Sequence, residues 1–184
     1  MRIMTFNIQH CKNYISKKID VPAVADAIAL LGAEVVVLNE VYGAGAHPAY
    51  TAQAEELAGK LGYHFYFAPA IEFENEGPYG NAFPVDTRFP IREAQTVPVP
   101  TVPRNHPGYF EDRCAFRAVV ESNKKRYTVI GIHFGLQPEE QEQCVKTVCR
   151  LIDDAVHGVG YPRGGKAPQQ RPHLRSRVQG TCQQ

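Results

Sequence analysis

The sequence predicts an α/β (α+β) fold, a mixed parallel and antiparallel sheet with helices outside. Three observations predict it. Residues 2–68 run strand, helix, strand, helix, strand, the order of an α/β unit. Val35-Val36-Val37-Leu38 is a continuous apolar run, as in a strand buried on both faces. Residues 114–133 hold two β-rich runs around a short polar connection, as in a hairpin.

Each element has its own signal. Arg2–Ile8 alternates and reads as a strand. Val21–Leu31 has apolar residues at helical spacing, with Asp20 as a cap, Pro22 in the first turn and Gly32 as a stop. Glu34–Val41 is the second strand. Thr51–Leu61 reads as a helix ending at Gly62, and Tyr63–Ala68 as an aromatic-rich strand. Phe83–Ile91 is strand-like but interrupted by Pro84 and Pro90. Pro98, Pro100, Pro103 and Pro107 then punctuate an extended stretch and a loop. Cys114–Glu121 and Arg126–His133 form the hairpin across Ser122-Asn123-Lys124-Lys125. Pro138–Asp154 has a helical period, with Glu139, Glu140 and Glu142 where the helix dipole favours acids. There is no internal repeat.

Charge divides the chain. All 19 acidic residues lie at or before Asp154, and the last 30 residues carry five basic residues and no acid. Apolar content and periodicity fall at the same place. The expected organisation is a globular domain over residues 1–155 and a basic, non-globular tail over 156–184. An overall net charge of +1 gives no basic excess of the kind nucleic-acid-coating proteins show. No apolar run is long enough to span a bilayer, and the N-terminus does not read as a signal peptide. Five cysteines without a Cys-x-x-Cys pair argue against a disulfide framework or zinc knuckle and point to a reducing, cytoplasmic compartment.

Three strands end in polar groups: Asn7; Asn39 with Glu40; and His133. A carboxylate at the end of a buried strand is costly unless paired or bound to a metal. Taken singly, each fits a cap or a salt bridge. Taken together, they point to a site at one sheet rim, provided that the three strands neighbour each other.

Thr5-Phe6-Asn7-Ile8, Leu38-Asn39-Glu40-Val41, Tyr79-Gly80-Asn81-Ala82, Arg88-Phe89-Pro90-Ile91 and His133-Phe134-Gly135 follow one another in this order. The set resembles the ordered motifs of the endonuclease/exonuclease/phosphatase superfamily, which includes DNase I, exonuclease III-type nucleases, inositol-polyphosphate 5-phosphatases and sphingomyelinases. The resemblance implies a DNase I-like four-layer α/β-β/α sandwich and metal-dependent hydrolysis of a phosphoester. It implies Mg²⁺, with Mn²⁺ as the alternative, held by Glu40 with Asn7 beside it. Mg²⁺ keeps several waters and takes few protein oxygens, which suits that set. By the same resemblance His133 contacts the scissile phosphate and Arg113 faces it, while Tyr79 and Asn81 reach it from a loop. Arg113 also fits an ordinary surface cation, and Tyr79 loop packing. His10 and His106 read as solvated loop residues that could line the cleft.

The pattern departs from the family twice. Pro84 falls where family members have a strand without proline, so a distorted or bulged strand is expected there. After Asp154 the family's Gly-Asp-Phe-Asn and Ser-Asp-His motifs, which carry its principal catalytic groups, are absent. The expectation is a fold incomplete in its C-terminal part, from truncation or a frameshift near Ala155, or a short variant completed by a partner or a homodimer through an exposed sheet. The alternative to a hydrolase is a non-catalytic phosphate- or nucleic-acid-binding module, or a non-functional product. The substrate is not legible: Gly43–Tyr50 and Val97–Tyr109 show no basic-aromatic pattern for nucleic acid.

Overall fold

A computed structural model describes residues 1–45, 50–74 and 76–157. Its elements are β1 (Ile3–Asn7), a short 3-10 turn (Gln9–Cys11), α1 (Val21–Leu31), β2 (Val35–Tyr42), α2 (Gln53–Leu61), β3 (Tyr63–Phe73), β4 (Gly77–Asp86), β5 (Ile91–Pro98), β6 (Cys114–Ser122), β7 (Lys125–Ile132) and α3 (Pro138–His157). They form a four-stranded sheet, β1-β2-β4-β3, and a three-stranded sheet, β5-β6-β7. Only β1 and β2 pair in parallel; the other neighbours are antiparallel.

Alternation along β2 sets the layers. Val36, Leu38 and Val41 pack with Val21, Ala25 and Ile28 of α1 and Ala54 and Leu57 of α2. Val35 and Val37 face the other way, against Phe83 and Val85 and the second sheet's Phe116, Ala118 and Val120. On the far side of that sheet Val97 and Ala115 meet Leu151 of α3. The order helices, sheet, sheet, helix is that of an α/β-β/α sandwich. Gly131 on β7 leaves room between the sheets, because a Cβ there would overlap the Phe116 ring.

Local chemistry explains the ends. The Asp20 carboxylate accepts from the Ala23 N–H at 3.0 Å, capping α1, and Gly32 closes that helix at φ 59°. The β6–β7 hairpin turns at Asn123 and Lys124, both at positive φ (50° and 61°), as a two-residue I′ turn requires.

Two expectations change. Tyr79 and Asn81 lie in a strand, not a loop, because β4 pairs with β3 from Gly77↔Phe73 to Asp86↔Tyr63. Gly77, Pro78 and Gly80 hide this strand from propensity-based reading. Pro84 neither breaks nor bulges it: Pro84 is paired with Phe65 in unbroken register, and the irregularities fall elsewhere. Other bounds shift by a residue or a few; β3 runs on to Phe73, and α2 starts at Gln53. The expected tail lies outside the described residues from 158 onward, as do residues 46–49 of the Gly43–Tyr50 loop.

Candidate functional site

Glu40 owes its position to a bulge. Asn39 pairs with Asn81 and Val41 with Gly80, so Glu40 is the extra residue of β2. Its φ is 59°, in the left-handed region that residues with a Cβ rarely adopt. Without the bulge, alternation after Leu38 would send Glu40 into the helix-side core. With it, Val41 takes that place in the core, and the carboxylate is released to the rim.

At the rim Glu40 Oε1 accepts a hydrogen bond from Asn7 Nδ2 at 2.7 Å. Parallel pairing of β1 and β2 puts Asn7 opposite Asn39, and Asn7 Oδ1 also accepts from the Gln9 N–H at 3.0 Å. His133, the residue after β7, brings Nε2 to 3.8 Å from the same Glu40 oxygen. Asn7, Glu40 and His133 therefore converge, but not as ends of neighbouring strands: Glu40 is a bulged residue inside β2, which pairs on to Tyr42, and His133 comes from the other sheet, packed face to face with the first. Burial lowers the His133 pKa first, Arg113 lowers it further, and Glu40 opposes both.

Arg113 is not a surface cation. Its side chain is 7% exposed, with Nη1 at 2.9 Å from His133 Nδ1 and Nη2 at 2.9 Å from Glu111 Oε2. Its Nε is buried without a partner. Tyr79 packs within an aromatic wall, 5.0 Å from Tyr42 and 5.7 Å from Phe73 between ring centres. Burial, then the charge of Glu40, raises its pKa. Asn81 is 2% exposed, and its amide is fully engaged. Its Oδ1 accepts from Asn39 Nδ2 at 2.8 Å, and its Nδ2 donates to the Cys114 carbonyl at 2.9 Å. It latches β4 to β6 beneath the rim.

His10 stands beside the wall, edge-on to Tyr42 and Tyr50. His106 stays in an exposed loop, against Phe110 and 3.5 Å from Glu139.

Residues not singled out for the site complete it. Glu111, at the end of the proline-rich loop, pairs with Arg113; burial raises its pKa and Arg113 opposes this. The Glu140 side chain accepts from the Glu111 N–H at 3.0 Å and from the Gln137 N–H at 3.2 Å. The spacing Gln137-x-x-Glu140 is the one sequence signal that could have found it, as the returning arm of a capping box. Fully buried Gln53 joins the Tyr42 N–H to the His10 carbonyl and fixes the wall against the turn after β1.

Among the described residues no cluster of three or more His, Cys, Asp or Glu could hold a metal ion. One oriented carboxylate at an open rim fits Mg²⁺ or Mn²⁺ all the same, since such ions bind through one or two carboxylates, waters and substrate phosphate. The described cysteines Cys11, Cys114, Cys144 and Cys149 are free thiols. Among the described residues no helix is long and apolar enough to cross a membrane.

The fold is that of the endonuclease/exonuclease/phosphatase (DNase I-like) superfamily. A structure of an endonuclease/exonuclease/phosphatase from Beutenbergia cavernae is 25% identical, with a TM-score of 0.69, covering 82% of this chain and 43% of that one. One from Bacteroides vulgatus is 16% identical, with a TM-score of 0.61, over 84% of this chain and 59% of that one. A mannosyl-6-phosphatase from Bacteroides thetaiotaomicron is 13% identical, with a TM-score of 0.64, over 85% and 60%. The chain thus spans about half the length of the solved structures it matches. No family model and no curated protein matches it.

Proposed function

We propose that this chain, with its endonuclease/exonuclease/phosphatase fold, binds a divalent cation and a phosphoester at the rim where Asn7, Glu40 and His133 meet. The observation that carries the reading is Glu40, turned out of the core by a strained bulge and held 2.7 Å from Asn7. Strain of this kind persists where surrounding structure over-determines it, and it clusters at functional sites.

Glu40 would hold Mg²⁺ or Mn²⁺, and Asn7 fixes the orientation of that carboxylate. His133 offers a ring nitrogen to a phosphoryl oxygen, and Tyr79 with the aromatic wall borders the bound group. The bound cation would polarise the phosphoryl oxygens and stabilise a leaving oxygen. Hydrolysis also needs a base for the attacking water. His133 has its Nδ1 already taken by Arg113, so the reading stops at binding. A second reading, hydrolysis, draws on the likeness to a structure named a mannosyl-6-phosphatase. A homodimer would join through a sheet edge such as β7, whose first four residues are exposed. A reducing, cytoplasmic compartment is part of this proposal, from an odd cysteine count without a Cys-x-x-Cys pair.

Calorimetric titration with Mn²⁺ and then dimethyl phosphate tests the proposal. Binding of both, abolished by Glu40→Gln, is expected, with hydrolysis of bis(4-nitrophenyl) phosphate at background. Absence of Mn²⁺ binding by the folded wild type would overturn it. Mg²⁺-dependent turnover lost in Glu40→Gln would put the hydrolase reading in its place.

A further inference from the structure

We infer that Glu111 and Arg113 are positioning residues: they lock the His133 ring with its proton on Nε2, so that the rim presents a fixed donor to an anion. The inference deepens the phosphoester-binding reading and rests on it for the identity of the anion.

Arginine has five N–H donors and no acceptor. With Nη1 at 2.9 Å, His133 Nδ1 has to accept, and the proton of the neutral ring sits on Nε2. That nitrogen is the one facing Glu40 Oε1, 3.8 Å away. A direct bond would be shorter, so the N–H is left available to a group entering between or above them.

Arg113 is itself held. Glu111 Oε2 takes Nη2 at 2.9 Å, and both side chains are less than one-tenth exposed. The Glu111 backbone is tied in turn: its N–H donates to Glu140 Oε1 at 3.0 Å, and Glu140 Oε2 caps the start of α3 through the Gln137 N–H. A continuous chain of bonded polar groups thus runs from α3 through Glu140, Glu111 and Arg113 to His133, and it stops there, 3.8 Å short of the Glu40–Asn7 pair. Each link is a group with few rotamers once bonded, and a preorganised donor needs no rearrangement when an anion arrives. The arrangement uses the planar guanidinium fork. Lysine, with one ammonium on a flexible stem, cannot hold the two partners in that geometry.

Long-range ¹H–¹⁵N correlation spectra of the full chain read the tautomer of each histidine, with His133→Gln assigning the His133 signals and exposed His64 as internal reference. The wild type is expected to show His133 as the Nε2–H form almost alone. Glu111→Gln keeps a hydrogen-bond acceptor and is expected to lower the Nε2–H to Nδ1–H ratio by roughly three- to tenfold, and Arg113→Lys by a similar factor. A wild-type ring with its proton on Nδ1, or mixed like His64, overturns the inference without recourse to any variant. So does an unchanged ratio in a folded Glu111→Gln protein. Adding dimethyl phosphate with Mg²⁺ separates the two proposals. A locked tautomer whose signals ignore dimethyl phosphate leaves the positioning role standing and counts against phosphoester binding. A mixed tautomer defeats the positioning role whether or not dimethyl phosphate binds.

Discussion

Asn7 Nδ2 and Glu40 Oε1 lie 2.7 Å apart, joining the last residue of β1 to the bulged residue of β2. The parallel register alone would set Asn7 against Asn39. The left-handed turn of the backbone at Glu40 is what brings the carboxylate round to Asn7 and within reach of His133.

That backbone makes an unusual mutational prediction. Glycine adopts the left-handed region freely, whereas other residues are penalised by about 1–2 kcal/mol. Glu40→Gly is therefore expected to be more stable to urea than Glu40→Ala by about 1 kcal/mol, with Mn²⁺ binding lost in both. Equal midpoints for the two variants would show that residue 40 is not strained.

Asn81 is predicted to matter for stability first. Asn81→Ala leaves the Asn39 amide and the Cys114 carbonyl without their partner inside the protein. A buried group stripped of its partner costs about 1–3 kcal/mol, so the urea midpoint is expected to fall by that equivalent. A near-wild-type midpoint combined with weakened dimethyl phosphate binding would instead favour direct contact with the anion.

Thiol reactivity follows burial. Burial pushes the Cys11 thiol up to about 12 and the Cys114 thiol up to about 11, and Cys144 is also enclosed. Cys149 is exposed. In a Cys182→Ser background, chosen because residue 182 lies outside the described residues, one fast equivalent at Cys149 is expected with Ellman's reagent at pH 8. The others should react only on unfolding. Rapid labelling of Cys11 in the native protein would contradict this packing.

Acid sensitivity should trace in part to one surface cluster. Hydrogen bonding from Arg88 lowers the Asp86 pKa below its ordinary 3.8. The Arg2 N–H, with the N-terminal charge and Arg88, lowers Glu34 below 4.5. Carboxylates depressed in the folded state contribute stability above their ordinary pKa values and lose it as pH falls through the folded ones. Arg88→Ala is expected to flatten the stability profile below about pH 4.5 while changing stability at pH 7 little, because the guanidinium is 65% exposed and its ion pairs are screened by water. An unchanged acid limb would exclude the cluster as its source.

Regular elements were legible where local chemistry and periodicity agree. Asp20, Pro22 and Gly32 bound α1 as read, and the polar tetrapeptide at 122–125 turns as read. Of β4 only residues 83–86 were read as strand, in a run carried too far through the turn at 87–90, since Gly77, Pro78 and Gly80 argue locally against the half that its neighbours β2 and β3 impose. The charged network behind His133 was partly visible. Arg113 could be picked out by resemblance, but its burial against Glu111, and the part played by Glu140, depend on a proline-rich loop meeting the start of α3.

The α/β class, the two-faced burial of β2 and the polar groups of Asn7 and His133 at strand ends could be read from residues close in the chain, because side-chain alternation and capping act over a few residues. Tertiary structure alone decided that Glu40 leaves the core through a bulge, that Asn81 faces inward as a latch, and that Arg113 grips an imidazole and a carboxylate. These depend on register, on hydrogen bonds between residues 20 to 42 positions apart, and on the packing that buries the local Glu111–Arg113 pair, where satisfying buried polar groups outweighs local preference.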